Sequence, residues 1–172
     1  MKRVLITTLA LTMLAMVASA NEGGGRGPEG FGGGDAIVAS NGTIFVTSST
    51  IDTGTRTSTT TIKAISSSGA LLWTASLSNA GRLELSGSNL IASNETRASD
   101  GTVSTTLTAV STSSGSVAWT RTLTGRVTSL EPFSAGTYAI VVVPATTSGG
   151  SATRSLVAIG NDGSVLWTVS LT

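Results

Sequence analysis

The sequence predicts an all-β fold built from about three repeated four-stranded antiparallel units, and three observations carry that expectation. Trp73, Trp119 and Trp167 stand 46 and 48 residues apart, an interval that belongs to repeat architectures. Each lies four residues after a glycine placed in a Ser-Gly or Asp-Gly pair: Ser68-Gly69, Ser114-Gly115 and Asp162-Gly163. Outside residues 4–17 no stretch shows a sustained 3.6-residue apolar period, and the wealth of Thr, Val and Ile favours strands over helices.

The elements follow in chain order. Lys2 and Arg3 form a positive start, residues 4–17 an uncharged apolar run, and Ala18-Ser19-Ala20 a small-x-small cleavage site. Residues 1–20 therefore read as a secretory signal peptide, cut between Ala20 and Asn21. The run is shorter than the roughly 20 residues a spanning helix needs. Its short, basic style predicts bacterial export, to the periplasm or the cell exterior, with no membrane span in the mature chain. Residues 21–34, NEGGGRGPEGFGGG, offer too little side chain to bury and too much backbone freedom to fix, so they read as a flexible leader. They lack the strand, the helix and the Lys-Ser/Thr pair of a phosphate loop.

Residues 35–172 hold the repeats, with blades expected at about 35–78, 79–124 and 125–172. Upstream of each glycine a strand ends in Ala64-Ile65, Ala109-Val110 or Ala158-Ile159, so each unit contains a strand, a tight glycine turn and a tryptophan-bearing strand. Two further apolar runs precede these in every unit, such as Leu83 to Leu85 followed by Leu90-Ile91-Ala92. Four strands per unit is the blade content of a β-propeller. Between the second and third strands, loops are expected at residues 49–60, 94–101 and 145–152, all rich in Ser, Thr and Gly.

The run from Ala109 through Gly115 to Trp119 resembles the repeat of quinoprotein-like (PQQ-like) β-propellers, in which Ala-Leu-Asp, a short spacer and Thr-Gly precede a tryptophan four positions on. The family's Asp is Ser66, Ser111 and Gly160 here, and its Thr is Ser or Asp. The resemblance implies that Trp73, Trp119 and Trp167, with Gly69, Gly115 and Gly163, are structural residues that dock neighbouring blades. Propellers usually close with four to eight blades, and the resemblance implies seven or eight, of which three sweep less than half. The end blades are then expected to present uncovered apolar faces, resolved by a homodimer completing a six-bladed ring, by an open arc docked on another protein, or by further blades of a longer product. A sandwich or solenoid of the same strands is the alternative. Thr172 lies five residues beyond Trp167, a whole-blade boundary.

Composition narrows the chemistry. With no Cys and no His, the chain lacks thiol nucleophiles, disulfides, imidazole bases and most zinc sites. Charged residues are 11% of the chain, whereas Ser and Thr make up about a third, so the surface is hydroxyl-rich. Ten Lys and Arg stand against 9 Asp and Glu, with two of the ten inside the signal peptide, so the footprint for nucleic acid is missing. No cofactor, metal site or catalytic residue is expected: Asp100-Gly101 and Asp162-Gly163 are turn pairs, and no carboxylate spacing matches a calcium loop. Glu84 and Glu131, each shortly after a Gly-Arg pair, are the best carboxylates for glycoside hydrolysis but lack free aromatic platforms. Arg82 and Arg126, each at the start of an inner strand, could line an axial channel and hold an anionic ligand, or else remain solvated. Arg56, Arg97 and Arg154, one per blade, form a second candidate surface.

The resulting expectation is a secreted, non-catalytic propeller module that binds a protein partner or scaffolds an assembly. The alternatives are a self-associating structural or adhesive surface protein and a fragment of a quinone-dependent oxidoreductase-like propeller.

Overall fold

A computed structural model describes residues 36–145 and 150–171. The signal peptide and the glycine-rich leader expected from the sequence lie outside the described residues, as does part of the expected loop at 145–152.

Twelve strands form three four-stranded sheets, each an antiparallel meander of consecutive strands. Blade 1 contains β1 (Ala36–Val38), β2 (Ile44–Asp52), β3 (Thr57–Ile65) and β4 (Leu71–Ser78). Blade 2 contains β5 (Leu83–Ser86), β6 (Asn89–Arg97), β7 (Val103–Ser111) and β8 (Val117–Thr124). Blade 3 contains β9 (Arg126–Phe133), β10 (Gly136–Val143), β11 (Thr153–Gly160) and β12 (Val165–Ser170). The all-β expectation, with about three propeller blades, agrees with this architecture.

The pleat explains how the blades stack. Alternate residues of a strand face opposite sides of its sheet, so each blade has a leading face and a trailing face. Phe45, Ile62 and Ala64 on the trailing face of blade 1 pack on Leu90 and Val110 of the leading face of blade 2. Ile91, Leu107, Ala109 and Leu123, trailing in blade 2, pack on Ala139, Val141, Val157 and Ile159 of blade 3. The core is thus two interblade seams rather than one central cluster. The second seam also carries a buried polar link: Thr137 Oγ1 donates to Ser86 Oγ at 2.6 Å, and Ser86 Oγ donates to the Gly136 carbonyl at 2.8 Å. Ser86→Ala strands both partners away from water and is expected to cost about 2 kcal/mol in denaturant unfolding. A loss within about 0.5 kcal/mol, the range of an ordinary surface change, would contradict the link.

One expectation is corrected. Residues 49–52 and 57–60 are not loop: β2 runs to Asp52 and β3 starts at Thr57, leaving a short turn held by the Asp52 carboxylate, which accepts from the Gly54 and Thr55 amides. Residues 94–97 likewise belong to β6. The hydroxyl residues that resemble loop composition pair across the strands instead, Ser49 with Thr60 at 3.0 Å and Thr96 with Ser104 at 2.9 Å. Threonine is β-branched and suits a pleated surface, and cross-strand hydroxyl pairs extend the ladder.

Candidate functional site

The tryptophan strands are built alike in all three blades. A register shift falls between Ala64 and Ile65, between Ala109 and Val110, and between Ala158 and Ile159, directly before the pairings of Ala64 with Trp73, Ala109 with Trp119 and Ala158 with Trp167. An extra residue inserted there bends the strand and re-aims the side chain that follows. The indole then reaches the turn of the next blade. Trp73 Nε1 donates to the Thr112 carbonyl at 2.9 Å, and Trp119 Nε1 donates to the Asn161 carbonyl at 2.8 Å.

Glycine is required beneath each seated ring. A Cβ on Gly115 would lie 2.6 Å from Trp73 Cε3, and one on Gly163 would lie 2.7 Å from Trp119 Cδ2. Both glycines also hold positive φ, +73° and +81°, where a side chain is disfavoured. Gly69 has the same backbone, φ +85°, yet a Cβ there would meet nothing within 4 Å. At the other end Trp167 is 43% exposed, with its ring 5.6 Å from Tyr138 of its own blade, which stacks on Phe133 at 4.2 Å.

Arg121 was not singled out in the sequence. Its Nε donates to the Gly163 carbonyl at 2.8 Å, adding a second clamp to the turn that receives Trp119. Its place two residues after Trp119, on the same face of β8, is the signal that points to it.

The inner strands carry the charged candidates. Arg126 forms a two-pronged pair with Glu95, at 2.7 and 2.9 Å, and Arg82 approaches Glu84 at 3.6 Å. Each guanidinium therefore faces a carboxylate of the chain. Glu131 accepts from Ser129 Oγ at 3.1 Å, and its charge reaches Glu84. Lys63 is exposed on β3, and Arg97 donates to the Gly101 carbonyl at 3.4 Å. Asp100 and Asp162 fill the turn roles expected of them, each accepting a backbone amide two residues on, from Thr102 and Ser164. A shallow hollow of about 200 Å³ lies beside Arg97, Asp100 and Pro144, below the roughly 300 Å³ at which ligand pockets begin.

The carboxylates are pushed in opposite directions. Burial raises Glu84 above the ordinary glutamate value, Arg82 opposes that, and Glu131 adds to it. The hydrogen bonds from Arg126 hold Glu95 below its ordinary value. The folded chain thus holds the Glu84 proton more tightly than the unfolded one. Its contribution favours folding below the unfolded pKa and is lost as pH rises through the folded value. For Glu95 the sign reverses: the contribution is present above the unfolded pKa and is lost as pH falls through the folded value. Carboxyl-carbon NMR titration is expected to place the Glu84 midpoint above that of Glu95. In Glu131→Gln, Glu84 should fall only part of the way back, because burial is the larger cause; midpoints in the reverse order would contradict this placement.

Among the described residues no group of three or more His, Cys, Asp or Glu is placed to hold a metal ion, and no helix is long and apolar enough to cross a membrane. A family model described as outer membrane protein assembly factor BamB matches residues 58–172, which take in most of β3, all of β4 and the whole of blades 2 and 3. No curated protein matches the chain.

Proposed function

Because the chain belongs to the PQQ-like repeat family described as outer membrane protein assembly factor BamB, and is a β-propeller repeat module, we propose that it is an exported, non-catalytic scaffold that binds protein. The observation that carries this reading is the trailing face of blade 3. There Trp167, Val169 and Leu171 are 43%, 51% and 48% exposed, whereas Trp73, Ala75 and Leu77 of blade 1, and Trp119, Arg121 and Leu123 of blade 2, are half-buried or buried. Contiguous exposed apolar surface marks a protein-binding site. Of the charged candidates, Arg126 pairs with Glu95 and Arg82 lies 3.6 Å from Glu84.

The test is site-specific photocrosslinking in a bacterial cell, with the reactive group at Val169 and, as a control, at exposed Thr122 in β8. A discrete protein adduct from Val169, absent from Thr122, is expected in the periplasmic fraction on a chain whose first residue is Asn21. An intact Met1 terminus with cytosolic retention overturns the export reading, and equal crosslinking from both positions overturns the binding face. Melting with pyrroloquinoline quinone and calcium separates the oxidoreductase alternative: no shift is expected, and a rise would favour a cofactor-bearing propeller instead.

A further inference from the structure

Each end of the described arc presents one half of an interface that the chain builds twice within itself. The trailing half, on blade 3, is an unseated indole with apolar neighbours: Trp167, Val169, Leu171 and Tyr138. The leading half, on blade 1, is a seat that no described residue fills. Its turn has the hydrogen bonds of the filled seat in blade 3. Ser66 N donates to the Ala70 carbonyl and Gly69 N to the Ser66 carbonyl, as Gly160 N does to the Ser164 carbonyl and Gly163 N to the Gly160 carbonyl. The Ser67 carbonyl therefore occupies the place of the Asn161 carbonyl, which accepts Trp119 Nε1. Gly69 is exposed, whereas Gly163 is buried beneath its indole.

The sheet beside this seat matches as well. Register places Ile44 and Ile65 of blade 1 where blade 2 has Leu90 and Val110 and blade 3 has Thr137 and Ile159. Those four are at most 1% exposed, while Ile44 and Ile65 are only half-buried and neighbouring Val38 is 64% exposed. Lys63 replaces Thr108 and Val157 on this face. Its aliphatic stem can lie along apolar surface while the ammonium stays in water.

We propose that a second copy of this chain covers these ends, with Trp167 of one copy seated over Gly69 of the other and its indole N–H donating to the Ser67 carbonyl. This rests on the protein-binding reading of the blade 3 face and names its partner. The contact is head-to-tail, so it closes into a ring when the rotation allows. Two copies of three blades give six, within the four to eight that propellers close.

A complementation experiment tests the contact, with mass measured by light scattering on size exclusion at tens of micromolar. The purified chain is expected at twice the single-chain mass. Trp167→Ala removes the knob, and Gly69→Asn fills the seat with a residue that tolerates positive φ. Each variant alone should fall to the single-chain mass with an unchanged β circular-dichroism spectrum. Mixed in equal amounts, they should recover a 1:1 dimer, because one intact seat then faces one intact indole. A wild-type chain that stays single, association that survives either folded variant, or a mixture that stays single overturns the proposal. If the chain stays single while Val169 still crosslinks a different protein, the second copy is excluded and the scaffold reading stands.

Discussion

Trp119→Ala is expected to lower the unfolding free energy by about 3 kcal/mol, near the lower end of the range for truncating a packed aromatic. The indole joins the seam between blades 2 and 3 and donates to the Asn161 carbonyl at 2.8 Å. Truncation removes its apolar contacts and the shorter of the two hydrogen bonds to that carbonyl, which keeps only the 3.3 Å bond from Asn89 Nδ2. The figure sits low in the range because the indole is half-buried rather than enclosed. Trp167→Ala supplies the comparison within the same chain, since its ring covers no following turn among the described residues. In dilute protein its loss should be about 1 kcal/mol, the worth of aromatic contact with Tyr138. Equal losses for the two, measured by urea unfolding, would contradict the docking role of Trp119.

Gly163→Ala is expected to cost roughly 3 kcal/mol through two separable causes. An alanine held at φ +81° costs about 1–2 kcal/mol by itself. The new Cβ also lies 2.7 Å from Trp119 Cδ2, and crowding a packed site adds roughly 1–3 kcal/mol. Gly101→Ala isolates the first cause, because Gly101 has φ +86° and its Cβ would meet nothing within 4 Å. It should cost only about 1–2 kcal/mol. A Gly163→Ala chain as stable as Gly101→Ala would mean that the indole yields freely.

The blades were legible in the sequence because their signals are local. The nearly equal spacing of Trp73, Trp119 and Trp167, and the glycine four residues before each, fix the turn, the strand and the repeat without knowledge of distant contacts. The ends of β2, β3 and β6 were not legible. Ser and Thr are ambiguous between loop and strand until a partner strand supplies the hydroxyl opposite, as Thr60 does for Ser49. The seats themselves were half legible. Gly115 and Gly163 stand out as turn residues, but the acceptors are backbone carbonyls of Thr112 and Asn161, which any residue supplies. The pairing of Arg126 with Glu95 bridges 31 residues of chain, from the start of β9 to β6, and nothing in either neighbourhood announces it. Arg82, just before β5, and Glu84 within it are only two residues apart, so their approach needed nothing distant.

The exposure of Trp167 depends on what lies beyond blade 3, a property of the neighbour and not of the strand. The register-shifted strand, the glycine turn and the apolar residues on alternate positions are present in every blade, so the sequence of blade 3 reads as a docked blade. Only the comparison of Gly69 with Gly115 and Gly163 shows which seat no described residue fills.

The central claim is that a tryptophan and the glycine turn of the next blade act as one unit, and a double-mutant cycle on Trp119 and Gly163 tests it most directly. Once Trp119 is alanine, a Cβ at residue 163 has no ring to meet, so Gly163→Ala should then cost only the backbone strain, about 1–2 kcal/mol. The combined loss should fall short of the sum of the single losses by at least about 1 kcal/mol. Losses that add within about 0.5 kcal/mol would show that indole and turn do not touch in solution, and the blade-docking account would be wrong.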